Sequence, residues 1–315
     1  MDESGFISYL EQRGLAPKTI TGQVKYVEHF LEKTKKEDIQ ITKPDVLKYL
    51  EYLKKRMGLQ NVTRKNRLIA LNNYFTHLYQ SEQAHTNPCL LLKIRGASKK
   101  QLNKIYTPEE LEQIFDNYYQ LFVRGYDDSH HRHDGQRRYS LLYRERNILI
   151  VSILFNQGVI TSEIERIELN DIDLIKATIK IRGAARGNDR TLPLKATQIG
   201  LFINYMQNIR PKLLEYQTQE SEKLFLPLPA VNYKTAKSEM TRNIFTPLAA
   251  QMKSIDKQFI DFQQVRASVI TFWIKTSGLR KAQHLAGHRS ISTTEKYIAN
   301  DLENLTEDIN NLHPF

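Results

Sequence analysis

Apolar residues recur at helical spacing through the first eighty positions. Phe6, Tyr9 and Leu10 mark a helix over 5–13, and Ile20, Val24, Val27, Phe30 and Leu31 mark another over 19–31, with Pro17 just ahead as a starter. Val46, Leu47, Leu50 and Leu53 share one face of 43–55, behind Thr42 as N-cap. Leu68, Leu71, Phe75 and Leu78 stripe a further helix, predicted from a Thr63 cap to Tyr79 and closed off by Asn87-Pro88. Short helices at this density predict a small bundle over 1–95.

The pattern changes beyond a polar stretch. Thr107-Pro108-Glu109-Glu110 is a helix-start signature, with Pro at the first helical position and acids in the first turn. From 125 to 139 the chain reads GYDDSHHRHDGQRRY, the composition of a loop, and regular structure is predicted to resume at Arg144. Residues 148–157 and 161–167 read as helices. Two β-like runs follow, 178–181 and 191–194, joined by a glycine-containing turn over 183–189. Helical patterns return over 198–216, 241–252, 265–276, 280–286 and 292–302, with a break at 224–228 beside Pro227 and Pro229. The fold class expected is mainly α, a helical first domain and an α-rich second domain with one small β-hairpin. The boundaries expected are 1–95, a linker over 96–106, and 107–315 with a tail helix at 301–315.

Charge sharpens this division. Lys and Arg number 46 against 35 Asp and Glu, a net +11. The first hundred residues hold 18 basic and 10 acidic side chains, the rest 28 and 25. A compact basic third points to a polyanionic partner, most simply nucleic acid. The linker KIRGASKKQLNK, with Lys99 and Lys100 at its centre, can follow a phosphate backbone. Arg64, Lys65 and Arg67 crowd the start of the fourth helix, where cations oppose the helix dipole; DNA phosphates would offset that cost, and a plain solvated surface is the alternative.

Other chemistry is narrowed by composition. Cys89 is the only cysteine, so no intrachain disulfide or Cys-based zinc site can form, which suits a reducing cytoplasm. The acidic start Met1-Asp2-Glu3-Ser4 does not read as a signal peptide, and the apolar run 148–155 is far shorter than the roughly 20 residues that span a bilayer. The reading is a soluble, cytoplasmic protein without a membrane partner. His130, His131 and His133 lie near Asp127, Asp128 and Asp134, but their spacing fits no standard metal site, so no metal is expected.

The informative segment is FQQVRASVITFWIKTSGLRKAQHLAGHRSISTTEKYI, residues 262–298. It resembles the tyrosine recombinase, or phage integrase, family, whose pattern is a His-x-x-Arg box, then Leu-Gly-His, then Thr-Thr and Tyr. The corresponding residues are Arg266, His288 within Leu285-Ala286-Gly287-His288, and Tyr297 after Thr293-Thr294. The resemblance extends upstream through 158–167 and the hairpin. It also takes in the N-terminal helices, through Arg13-Gly14-Leu15 and Pro17-Lys18-Thr19-Ile20. It implies a helical core-binding domain plus a catalytic domain clamping duplex DNA. Tyr297 would attack the scissile phosphate, leaving a 3′-phosphotyrosine and a free 5′-hydroxyl. Arg266 and His288 would hold the phosphate, with no cofactor, ATP or metal required. Physics agrees with these residue types: a fixed guanidinium meets charge developing on phosphate, and a phenol of pKa about 10 attacks only where cations favour the phenolate. The resemblance further implies a homotetramer on synapsed DNA, accessory DNA-bending proteins, and a tail striped by Leu302, Leu305, Ile309 and Leu312 that docks on a neighbouring protomer or on its own domain.

Three positions depart from the family pattern. Ile160 stands where the first catalytic Arg is expected, Gln263 replaces the box His, and Arg186 occupies the hairpin place of the general-acid Lys. Gln263 can still donate a hydrogen bond, and Arg186 keeps its charge but gives up its proton reluctantly. Arg166, Arg182 and Arg190 are the candidates to compensate for Ile160. A DNA-binding relative with weak or lost cleavage is the alternative; a topoisomerase of related chemistry and a basic RNA-binding scaffold stand behind it.

Overall fold

The computed structural model describes residues 2–96, 104–125, 134–183, 187–215, 221–226 and 244–298, side chains of 134–140 excepted. The chain divides into two compact units, Met1–Gln101 and Leu102–Phe315.

The first unit packs α1 (Glu3–Gln12), α2 (Pro17–Thr34), α3 (Lys43–Lys55) and α4 (Asn61–Gln80). Their stripes meet in one core that buries Phe6, Leu10, Val27, Phe30, Leu53 and Leu71. α3 spans the predicted residues because its start is doubly closed: Asp45 accepts from the Thr42 N–H at 3.0 Å and pairs with Lys36 at 2.8 Å. α4 starts two residues before the predicted Thr63 cap. Asn61 anchors its first turn, accepting from Arg64 at 3.1 Å and donating to the Arg95 carbonyl at 3.1 Å. That tie joins residues 34 apart, so no local signal announces it.

The second unit opens with α5 (Pro108–Tyr118), capped by Thr107 and Glu110 and continued by wide π-type turns over Tyr119–Arg124. α6 runs Asp134–Gln157, ten residues longer than the resumption expected at Arg144. The predicted loop is therefore helical from 134 onward: Gln and Arg are good helix formers, and the polar half extends an anchored apolar half. α7 (Thr161–Ile164) leads to an antiparallel sheet ordered β1 (Ile172–Asp173), β2 (Thr178–Ile181) and β3 (Arg190–Pro193). The expected hairpin is β2–β3, with Ile179 opposite Leu192 and Ile181 opposite Arg190. β1 is a third strand, too short at two residues to leave an alternating pattern. α8 (Ala196–Asn204) passes through π-type turns into α9 (Arg210–Leu214). Then come α10 (Thr246–Ile255), α11 (Phe262–Ser277), α12 (Leu279–Ala286) and α13 (Ile291–Ile298). α11 packs between α6 and the α12–α13 pair. Ile150, Ile153, Ile164, Ile181, Leu192 and Val265 are buried in the core of this unit. Among the described residues, no helix is long and apolar enough to cross a membrane.

Candidate active site

The Asp261 carboxylate caps α11 by accepting the Gln264 N–H at 3.0 Å. This fixes the helix phase, turning position 266 inward and position 263 outward. Arg266 is accordingly buried and Gln263 exposed. Arg266 donates through Nη1 to the Gly158 carbonyl at 2.5 Å and through Nη2 to the Ala286 carbonyl at 2.7 Å. Nη2 also reaches His288 Nε2 at 3.2 Å. His288 Nδ1 lies 3.0 Å from the hydroxyl of Thr294, which is fully buried in α13. One turn further along α13, the Tyr297 ring stacks on His288, with centroids 5.8 Å apart and planes 10° from parallel. Its phenol comes within hydrogen-bonding and electrostatic reach of Arg266. The three residues singled out by spacing thus converge on one point.

Donor chemistry assigns the protons. A guanidinium offers no lone pair, so the Arg266 contact requires an unprotonated Nε2. Neutral His288 then carries its proton on Nδ1 and donates it to Thr294. Burial, and after it the charges of Arg266 and Arg190, push His288 down to about 4, so the ring is neutral near pH 7.

A second layer lies beneath. Ile160, half-buried, caps α7, and its N–H is held by Glu163 at 3.0 Å. Arg190, the first residue of β3, grips both Glu163 oxygens, Nη1 to Oε1 at 2.7 Å and Nη2 to Oε2 at 2.9 Å. Glu163 Oε2 is also 3.7 Å from Arg266 Nη1. Burial alone would raise the Glu163 carboxyl, but Arg190, the Ile160 N–H and Arg266 outweigh it and hold it below its ordinary value. Of the three candidate substitutes for the missing Arg, Arg190 joins this cluster. Arg182 is ion-paired with Glu168 and, at 3.1 Å, with Asp171, while Arg166 donates to the Arg182 carbonyl at 3.4 Å.

Arg186, Lys99 and Lys100 lie outside the described residues, as do Asp127, Asp128, His130, His131, His133 and the 301–315 tail; Asp134 is described in its backbone alone. Among the described residues, no group of three or more His, Cys, Asp or Glu is placed to hold a metal ion. On α4, Lys65 is exposed and Arg64 half-buried. Arg67 turns toward its own bundle: it donates to Tyr49 Oη at 3.0 Å, reaches His29 Nδ1 at 3.2 Å and lies 5.0 Å over the Tyr26 ring. Glu163 and Thr294 escaped the sequence reading as members of the cluster. Each reads as an ordinary helix-start residue, and only the fold brings their partners to them.

Comparisons with known proteins bear on the family and the fold. The phage integrase family matches residues 138–304, and the phage integrase N-terminal SAM-like domain matches residues 4–85. Tyrosine recombinase XerC of Pediococcus pentosaceus is 26% identical over 319 residues, covering 98% of this chain and 96% of that protein. The XerH site-specific recombinase, solved as a post-cleavage complex with a palindromic difH substrate, superposes with a TM-score of 0.63 at 20% identity, covering 91% of this chain and 77% of that one. A lambda integrase tetramer bound to a Holliday junction gives 0.58 at 14% identity, covering 91% and 76%. The family model spans more than half the chain, and Arg266, His288 and Tyr297 meet in one cluster: this chain belongs to the phage integrase family of tyrosine recombinases.

Proposed function

We propose that this protein cuts and rejoins duplex DNA at specific sites, with Tyr297 as nucleophile. The observation that carries the reading is the convergence of Tyr297, His288 and Arg266. Arg266, oriented by two backbone carbonyls, holds a non-bridging oxygen of the scissile phosphate and stabilises the charge that grows there. Tyr297 Oη attacks phosphorus and the 5′ oxygen leaves. The 3′-phosphotyrosine keeps the bond energy for rejoining. His288 lies on the same phosphate, Gln263 reaches it from the open side of α11, and Arg186 supports the departing oxygen. The first unit, 1–95, serves as the DNA-binding clamp. Its α4 residues Arg64, Lys65 and Arg67 contact the backbone, and Lys99 and Lys100 continue the track along the 96–106 linker. Exposure favours Lys65 most, while Arg67 also braces Tyr26 and Tyr49.

The working form is a homotetramer on synapsed DNA, helped by accessory DNA-bending proteins, in the cytoplasm. The task is integration or excision of a mobile element or a similar exchange. Support for the tetramer comes from the leucine-striped tail and from an apolar groove on the second unit. Leu111, Phe115, Phe155, Phe272 and Trp273 line that groove.

The test is a nicked suicide substrate that traps the covalent intermediate. The unsubstituted protein is expected to form a protein–DNA adduct, and Tyr297→Phe to lose it entirely while retaining DNA affinity. An adduct that survives Tyr297→Phe overturns the assignment. No adduct from the unsubstituted protein favours the second reading, a DNA-binding relative with lost cleavage, for which Ile160, Gln263 and Arg186 are the motivating departures.

A further inference from the structure

The proposed reaction needs positive charge facing the phosphate, yet Ile160 contributes none, and a buried carboxylate, Glu163, stands 3.7 Å from the Arg266 guanidinium. Unopposed, that carboxylate would draw Arg266 onto its own oxygens. Its charge would then offset that of Arg266, a cation beside Tyr297. We propose that Arg190 is a positioning residue that prevents this: it saturates Glu163 and leaves Arg266 free for phosphate. The inference rests on the reading of Arg266 as phosphate ligand.

Four observations carry it. Both Glu163 oxygens are taken by the Arg190 fork, at 2.7 and 2.9 Å, whereas Arg266 makes only a looser ion pair with Oε2, at 3.7 Å. The Arg190 side chain is 1% exposed, so it cannot itself meet a phosphate entering from solvent. It acts through other residues. Its guanidinium is wedged under the turn that carries His288, where a Cβ on Gly287 would fall 2.7 Å from Arg190 Nη1. The same turn is tied to the end of the hairpin by the Asn188 N–H donating to the Gly287 carbonyl at 2.9 Å and by the Gly187–His288 bridge. A single arginine thus sets both the charge on Arg266 and the seat of His288. The pair and Arg266 together leave one net positive charge in a site that lacks its first Arg.

Charge removal and charge balance can be separated by substitution. Arg190→Met frees Glu163 to capture Arg266, and cleavage of the suicide substrate is expected to fall about 100-fold, the scale of losing one transition-state donor. Adding Glu163→Gln removes the captor, so the double variant is expected to recover to within about tenfold of the unsubstituted protein. Arg190→Lys, which keeps a charge but loses the fork, should fold and fall between them. The His288 titration midpoint, followed by NMR without any DNA, should rise in Arg190→Met and fall back in the double variant. That readout needs no cleavage, so failure of the recombinase reading and failure of this one are distinguishable. Unchanged cleavage and an unchanged His288 midpoint in a folded Arg190→Met overturn the proposal. So does a folded double variant as slow as Arg190→Met.

Discussion

In the free protein His288 Nε2 accepts from Arg266, and the ring's proton points to Thr294. A phosphate that takes over the Arg266 donor releases Nε2, and its negative charge favours the protonated ring. If Arg266 binds the scissile phosphate as proposed, DNA binding and proton uptake would be linked at this side chain. The same shift acts on stability. Folded His288 titrates at about 4, below its ordinary 6.5, so between these values the unfolded chain binds the extra proton. Stability therefore rises with pH through that window and is lost as pH falls from 6.5 toward 4. For this half-buried ring the loss between pH 7 and 5 should be on the order of 1 kcal/mol. Urea midpoints of the unsubstituted protein and His288→Gln at the two pH values measure it. The variant should lack this increment, and equal pH slopes would remove His288 as its source. Arg266, His288 and Tyr297 could be named because their order and spacing match the pattern of the family that the sequence resembles, and their types suit attack on a phosphate. Glu163 could not, because its partner Arg190 lies 27 residues away and pairs with it only inside a folded core.

Among the elements, the turn between α12 and α13 is tightly constrained. Gly287 closes α12 at φ +68, a conformation costly for other residues, and its Cα faces the Arg190 guanidinium and, at 2.9 Å from an added Cβ, the Asn188 carbonyl. Gly287→Ala should cost about 1–3 kcal/mol from backbone strain alone, plus the displacement of Arg190. Thermal melts should register that cost, and suicide-substrate cleavage should fall further than the loss of stability accounts for. A melt and cleavage rate equal to the unsubstituted protein's would deny the wedge. Capped helices were readable locally: α3 through Thr42 and Asp45, and α5 through Thr107, Pro108 and Glu110. The start of α6, the π-type turns and β1 were not. The polar start of α6 has no apolar period of its own, and a two-residue strand has no period to read.

The molecule comprises two cores with no residue in common, one for each unit. The proposed assembly asks more of the second unit, whose groove exposes Phe272 at 41%. If the 301–315 tail seats there in a neighbouring copy, deleting it and substituting Phe272→Glu should have the same effect. Cooperative synapsis would be lost and single-site DNA binding retained, as read by gel shift and sedimentation. Loss of folding on deleting the tail would mean that it packs on its own domain. Periodicity, capping and charge were enough to specify a mainly helical chain with a basic first third, because these properties are local or additive along the sequence, and the family resemblance added the Arg–His–Tyr series. Which nitrogen of His288 holds the proton, which arginine stands beside Glu163, and whether Tyr297 meets Arg266 depend on groups from α7, β3, α11, α12, α13 and the Gly158 turn that follows α6. Burial and donor geometry act only once those segments are packed together.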